Sequence, residues 1–262
     1  MRIKQMTTAF FLVMAATPAL SATMHVHDSN GVLGTVDTTA GAVSVIGNMG
    51  VVMTDIAFDP SGNLYGMSFT SLYSINPGTG ASTLIGAHGI SAGNALVFGS
   101  DGTLYGAGNG TTNLYTLNTT TGAGSSLGSI GFFSGGDLAF AGGDFYLASS
   151  SNQLVKIDLD NPGSTAAVGP FGIGNVFGLA TAPDGKLYGV AGTSIYEVDV
   201  LTGLATNPVS FGGQGLGTAF GQSFYTESGA EPAPIPVPPA GILLAGGLVL
   251  LGTARRRKKP SA

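Results

Sequence analysis

Residues 55–86 read DIAFDPSGNLYGMSFTSLYSINPGTGASTLIG, and three further stretches, 95–128, 137–169 and 178–210, repeat the same order of pieces. The tyrosines that mark them, Tyr65, Tyr105, Tyr146 and Tyr188, stand 40, 41 and 42 residues apart. A fixed period of about forty residues signals a repeat architecture. Each copy opens on a short apolar run (DIAF, ALVF, DLAF, GLAT) and turns through Gly, Asp, Pro and Ser, as at Asp59-Pro60-Ser61-Gly62. It continues in a second run (LYG, or FYL at Phe145) and a third (LYSI, LYTL, LVKI, IYEV). Short runs of β-branched and aromatic residues bounded by turn residues are strand signals. A second turn, beginning at Asn76, Asn118 or Asp199 and closing on Thr-Gly, leads into a fourth short strand. Four antiparallel strands in about forty residues make the blade of a β-propeller.

The ends of the repeat region bear on closure. Residues 33–47 align without a gap on residues 72–86, so the N-terminal part supplies late strands with no first strand. Residues 217–225, GTAFGQSFY, read as an early half-blade. Joined, they complete a shared blade, and closing the ring leaves no open sheet edge. The fold expected is all-β: a five-bladed propeller of four-stranded blades, with an open solenoid as the alternative. His25-Val26-His27 and Phe224-Tyr225 both resemble second strands, which leaves the division of the shared sheet open.

Composition sets the outer bounds. With 44% hydrophobic residues and a mean hydropathy of +0.36 the chain has ample material for a core. Its 44 glycines follow no Gly-X-Y period and serve turns and close approaches of sheets. Cysteine is absent, which removes disulfides, thiol catalysis and Cys-ligated zinc together. Between the termini only Lys156 and Lys186 face fourteen acidic residues, a balance that repels phosphate backbones and argues against nucleic-acid binding.

The termini supply an address. Residues 1–22 combine a basic start (Arg2, Lys4) with an apolar run and a small-residue end, the pattern of a signal peptide read by the secretory translocon and signal peptidase. The propeller is expected over 23–228, a Pro-rich spacer over 229–239, an apolar transmembrane or sorting helix over 240–254, and a basic cytoplasmic tail over 255–262. Within the spacer stand Ile235, Pro236, Val237, Pro238 and Pro239; the basic tail holds Arg255, Arg256, Arg257, Lys258 and Lys259.

This succession resembles the PEP-CTERM sorting signals, above all the variant whose hallmark reads Val-Pro-Leu-Pro-Ala. It departs from that hallmark at Ile235 and Val237 and by the additional Pro239. The resemblance implies export, recognition by an exosortase in the inner membrane, removal of the tail near the proline motif, and delivery to the surface of a Gram-negative bacterium rich in exopolysaccharide.

Few residues suggest chemistry. Asp55 and Asp137 open the inner strand in copies one and three, where Ala95, Gly178 and Gly217 stand in the others. Two carboxylates on a channel could hold calcium or act as an acid/base pair; the plainer role is to accept hydrogen bonds from local backbone amides. No other cofactor is expected, and no catalytic residue is assigned. His25 and His27 alternate and would share a strand face, but without a third ligand they read as surface side chains near a fraying end, and His88 has no assigned role. Serine-hydrolase elbows, phosphate loops and His-Glu-x-x-His motifs are absent from the sequence. The function expected is therefore an exported, non-catalytic binding or matrix-associated module, with a calcium-dependent propeller hydrolase, lactonase-like or carbohydrate-active, as the alternative.

Overall fold

The computed structural model describes residues 22–229; the segments expected to be a signal peptide (all but its last residue), most of the Pro-rich spacer with its proline motif, an apolar helix and a basic tail lie outside the described residues. Among the described residues twenty strands form five four-stranded antiparallel sheets. Four blades follow the chain in order, each running from an inner to an outer strand. They comprise β4–β7, opening on Asp55–Phe58; β8–β11, opening on Gly93–Phe98; β12–β15, opening on Ser134–Ala141; and β16–β19, opening on Gly178–Thr181. The fifth is shared between the two ends of the described chain and has the order β20 (Ala219–Phe224), β1 (Thr23–Asp28), β2 (Val32–Asp37), β3 (Val43–Asn48). Strand β20 packs against both β16 and β4, so the inner strands form a closed ring and the open solenoid is excluded. A short 3-10 turn at Pro162–Ser164 is the one helical element among the described residues.

The shared blade divides three to one. Strands β1 (Thr23–Asp28), β2 (Val32–Asp37) and β3 (Val43–Asn48) come from the N-terminal side, and β20 (Ala219–Phe224) alone from the other. The expected hairpin in residues 217–225 is therefore a single strand. Register gives the reason. His27 pairs with Leu33 as Met67 pairs with Leu72, so Met24-His25-Val26-His27 takes the place of Leu64-Tyr65-Gly66-Met67. His27 in turn pairs with Gly221 as Met67 pairs with Asp55, which puts Gly221, and not Gly217, at the ring position of Asp55.

Blades pack in one direction around the ring. In three of the four blades that follow the chain, the tyrosine of the second strand lies against the phenylalanine that closes the next inner-strand motif: Tyr65 on Phe98 (ring centroids 5.2 Å), Tyr105 on Phe140 (5.7 Å) and Tyr188 on Phe224 (5.9 Å); Tyr146 is the exception, with Thr181 at that place. His25 does the same on Phe58 at 4.8 Å and so carries the pattern across the closure. Buried Leu, Ile, Val and Phe fill the remaining space between neighbouring sheets.

The repeated outer turn is likewise an inter-blade device. Asn76 Oδ1 accepts the amides of Gly78 (2.9 Å) and Thr79 (3.1 Å), and Gly80 closes the turn at φ 78°. The carbonyl of the turn threonine then meets a glycine in the preceding blade, Thr121 against Gly86 and Thr202 against Gly169, at positions where a Cβ would collide with it. Gly86→Ala is expected to destabilise by about 1–3 kcal/mol, the usual cost of overpacking, as a lowered urea midpoint will register.

Candidate functional site

All five inner strands run the same way, which defines an upper face where they begin and a lower face where they end. Each presents one free edge to the central channel, and its amides must be satisfied there without a neighbouring strand. Two aspartates serve four of them. Asp55 accepts from its neighbour Ile56 (2.8 Å) and, across the blade boundary, from Leu96 (2.6 Å). Asp137 accepts from Leu138 (2.6 Å) and from Leu179 of the next blade (2.7 Å). The alternation Asp55, Ala95, Asp137, Gly178 follows: each aspartate serves its own strand and the next. Glu227 works lower in the channel, accepting from Thr181 N (3.3 Å) and from the Ser223 hydroxyl (2.9 Å), which itself receives the Phe58 amide (3.3 Å).

Burial dominates the electrostatics of these acids. Asp55 and Asp137 are inaccessible to solvent, and burial raises both carboxyls well above the ordinary range; they hydrogen-bond to one another. Two carboxyls in such contact cannot both ionise cheaply, so a proton is held between them. Glu227 is pushed up to about 8, again chiefly by burial. Among the described residues no group of three or more His, Asp or Glu side chains is placed to hold a metal ion.

The histidines are not surface groups. His27 is fully buried within the closing blade, neither ring nitrogen has a hydrogen-bond partner, and burial lowers its pKa to about 3. Its Nε2 and Asp55 Oδ1 each lie 2.5 Å from where a Cβ on Gly221 would stand, so that glycine makes room for both. His25, partly buried in its tyrosine-like position, is lowered to about 4. His88 is buried as well: Nδ1 accepts the Ile90 amide (3.0 Å) and Nε2 bonds the Ser68 carbonyl (3.0 Å), fixing a loop between the first two blades.

On the upper face the channel mouth forms a cavity of about 150 Å³. Its wall is the ring of residues one place before each ring position, Thr54, Asn94, Gly136, Phe177 and Phe220, joined by Phe69. Phe177 meets Phe220 edge to face at 6.0 Å, and Phe69 is 58% exposed. Thr54 is committed to the Met67 and Gly93 carbonyls. A second cavity of about 330 Å³ adjoins the first and shares Gly135 and Phe177 with it. Amides and hydroxyls line it, from Asn109, Ser149, Ser150, Asn152 and Asn175.

Charge is divided between the faces. Loops on the upper face carry no Asp, Glu, Lys or Arg apart from Asp28, which is buried and accepts the amides of Asn30 (2.9 Å), Val32 (2.9 Å) and Gly217 (2.7 Å). The turns and strand ends of the lower face hold Asp37, Asp59, Asp101, Asp184 and Asp199 among others, and both lysines pair with acids there, Lys156 with Asp144 and Lys186 with Glu197. A larger cavity of about 480 Å³ lies on that side, but Asp158 in its wall is occupied in capping its own turn through the Asp160 and Asn161 amides. The described chain enters at Thr23 and leaves after Phe224 on the lower face, opposite the channel mouth.

Of the residues singled out in the sequence, Asp55 and Asp137 come together in the channel. The histidines are brought in from the presumed surface, and Ile235 to Pro239 and Arg255 to Lys259 lie outside the described residues. Glu227 and the mouth residues Phe69, Asn94, Phe177 and Phe220 were not singled out. For Asn94, Phe177 and Phe220 the signal available was the column immediately before the inner-strand motif, where the copies disagree in chemistry.

No family model matches the chain, and no curated protein matches it. Among solved structures, a chain of a nidogen–laminin complex is similar with a TM-score of 0.56 at 12% identity, over 77% of this chain and 97% of that one. A symmetrical protein from a study of de novo evolutionary emergence is similar over 82% of this chain and 99% of its own, at 20% identity and a TM-score of 0.48. At that identity the first likeness concerns the fold alone; the five-bladed β-propeller is read from the five four-stranded sheets of the described residues themselves.

Proposed function

We propose that this chain is an exported binding module, sorted to the cell surface by an exosortase-type system and acting there without catalysis. The single observation that carries the non-catalytic reading is the commitment of the channel acids. Asp55, Asp137 and Glu227 all accept hydrogen bonds from inner-strand edges, directly or through Ser223, and none lines the channel mouth. A general acid or base must instead reach a substrate proton within hydrogen-bond distance. The address rests on the sequence: the signal peptide of residues 1–22, the proline motif Ile235 to Pro239 and the basic cluster Arg255 to Lys259. In this reading the translocon, signal peptidase and exosortase handle the chain in turn, and exopolysaccharide is its surrounding. The lower face, from which the described chain leaves, turns toward the tail, and the uncharged upper face points outward.

Mass spectrometry of the cell-surface form tests the address. Loss of Arg255 to Lys259 is expected, and a surface form that retains them would sink the sorting proposal. Calorimetry of the full chain with and without EDTA tests the rest. An unchanged melting temperature is expected; a calcium-dependent rise that disappears in Asp55→Asn and Asp137→Asn would return the hydrolase alternative to the lead.

A further inference from the structure

We propose that the channel mouth and its adjoining cleft form one binding site for an uncharged oligosaccharide chain. This inference rests on the binding-module reading and gives it a ligand class and an address. The mouth supplies apolar ring faces from Phe69, Phe177 and Phe220. The cleft next to it supplies neutral donors and acceptors, and Phe177 stands at the junction of the two. Two of the cleft groups, the Ser150 hydroxyl and the Asn175 amide, are exposed and make no hydrogen bond within the described residues. Asn109 commits only its Nδ2, to the Ser134 carbonyl at 2.8 Å, and so keeps its acceptor oxygen.

Ligand chemistry follows from that lining. A pyranose ring has one apolar C–H face and a rim of hydroxyls that both donate and accept. The first suits phenyl faces, and the second suits amide and hydroxyl side chains. A mouth of about 150 Å³ takes a single ring, and the cleft of about 330 Å³ beside it takes the units that follow, so a chain fits better than a monosaccharide. The absence of charged side chains from the upper loops, Asp28 apart, leaves nothing to pair with a uronate, sulfate or phosphate. Acids concentrated on the opposite face add a field that disfavours anionic chains further.

The test is a titration of the full chain with uncharged hexasaccharides of glucose, mannose and galactose, with a galacturonic acid hexamer as the charged comparison. Saturable binding of at least one uncharged member, tighter than the charged hexamer, is expected. Phe177→Ala should weaken it about tenfold or more by removing the ring at the junction. Ser150→Ala and Asn175→Gly should each weaken it about three- to tenfold; glycine is chosen because Asn175 holds φ 60°. The two exposed substitutions keep the test valid if Phe177→Ala fails to fold. Equal or tighter binding of the charged hexamer, or no binding by any uncharged member, would overturn the proposal. If the uncharged chains bind but all three variants bind like the parent, this site falls while the binding-module reading stands.

Discussion

Asp55→Ala is expected to lower the stability of the propeller by roughly 2–5 kcal/mol, because it orphans two buried amides at once and each unmet group costs about 1–3 kcal/mol. The amides are Ile56 N in the same strand and Leu96 N in the next, so the substitution loosens a blade and its junction together. Asp137→Ala should behave alike through Leu138 and Leu179. For a domain of this size the melting temperature should fall by about 2–4 °C per kcal/mol. Asp55→Asn should also destabilise, since its amide nitrogen would confront one of the two N–H donors it has to satisfy. Asp101 provides the control: its carboxylate serves Thr103 in an exposed turn, and Asp101→Ala should cost well under the channel variants. Thermal melts of the four variants decide the matter. A channel variant as stable as Asp101→Ala would remove the edge-satisfying role argued for these acids.

Stability should also peak in mildly acidic solution and fall on both sides. Glu227 titrates near 8 when folded against an ordinary 4.5, so the unfolded chain gives up its proton first. Its contribution is complete below about pH 4.5 and is lost as pH rises toward 8. Asp55 and Asp137, also raised by burial, act in the same direction. His27 acts oppositely: folded it titrates near 3 against 6.5, so its contribution is complete above pH 6.5 and is lost as pH falls toward 3. Each group can change stability by up to about 1.4 kcal/mol per pH unit within its window. Glu227→Gln should therefore flatten the alkaline limb between about pH 4.5 and 8. His27→Met should flatten the acid limb; methionine is the choice because Met67 holds the equivalent place in the first blade. Urea titrations across pH 3–9 measure both. A Glu227→Gln profile parallel to the parent's above pH 5 would show that this carboxyl is not held protonated.

The repeat was legible because its signals are local. A strand, a turn and another strand lie within ten residues, and the Asn or Asp that opens the outer turn bonds amides two and three places on. Closure was legible only in outline. His25 and His27 conceal the LYGM pattern by replacing Tyr65 and Met67, and GTAF mimics DIAF better than the true equivalent, Gly221-Gln222-Ser223-Phe224. The channel acids could be named from position, and so could half of their duty, the local amides of Ile56 and Leu138; the other half could not, because Leu96 and Leu179 belong to strands about forty residues away. The mouth was illegible for a related reason. Thr54, Asn94, Gly136, Phe177 and Phe220 share a column in the repeat but no chemistry, and only the closed ring makes them neighbours.

The three-to-one shared blade also has a consequence in time. Strand β1 is made among the first of the described elements, yet its partner β20 lies near residue 220. A chain emerging from its N-terminal end must carry β1 with one edge unpaired through the making of four complete blades. Such an edge can pair with another molecule, and contacts of such sequence separation form late. The final dozen described residues thus set the moment at which the ring becomes safe from its neighbours, and a chain cut short before Ala219 would hold four finished blades and remain open to aggregation.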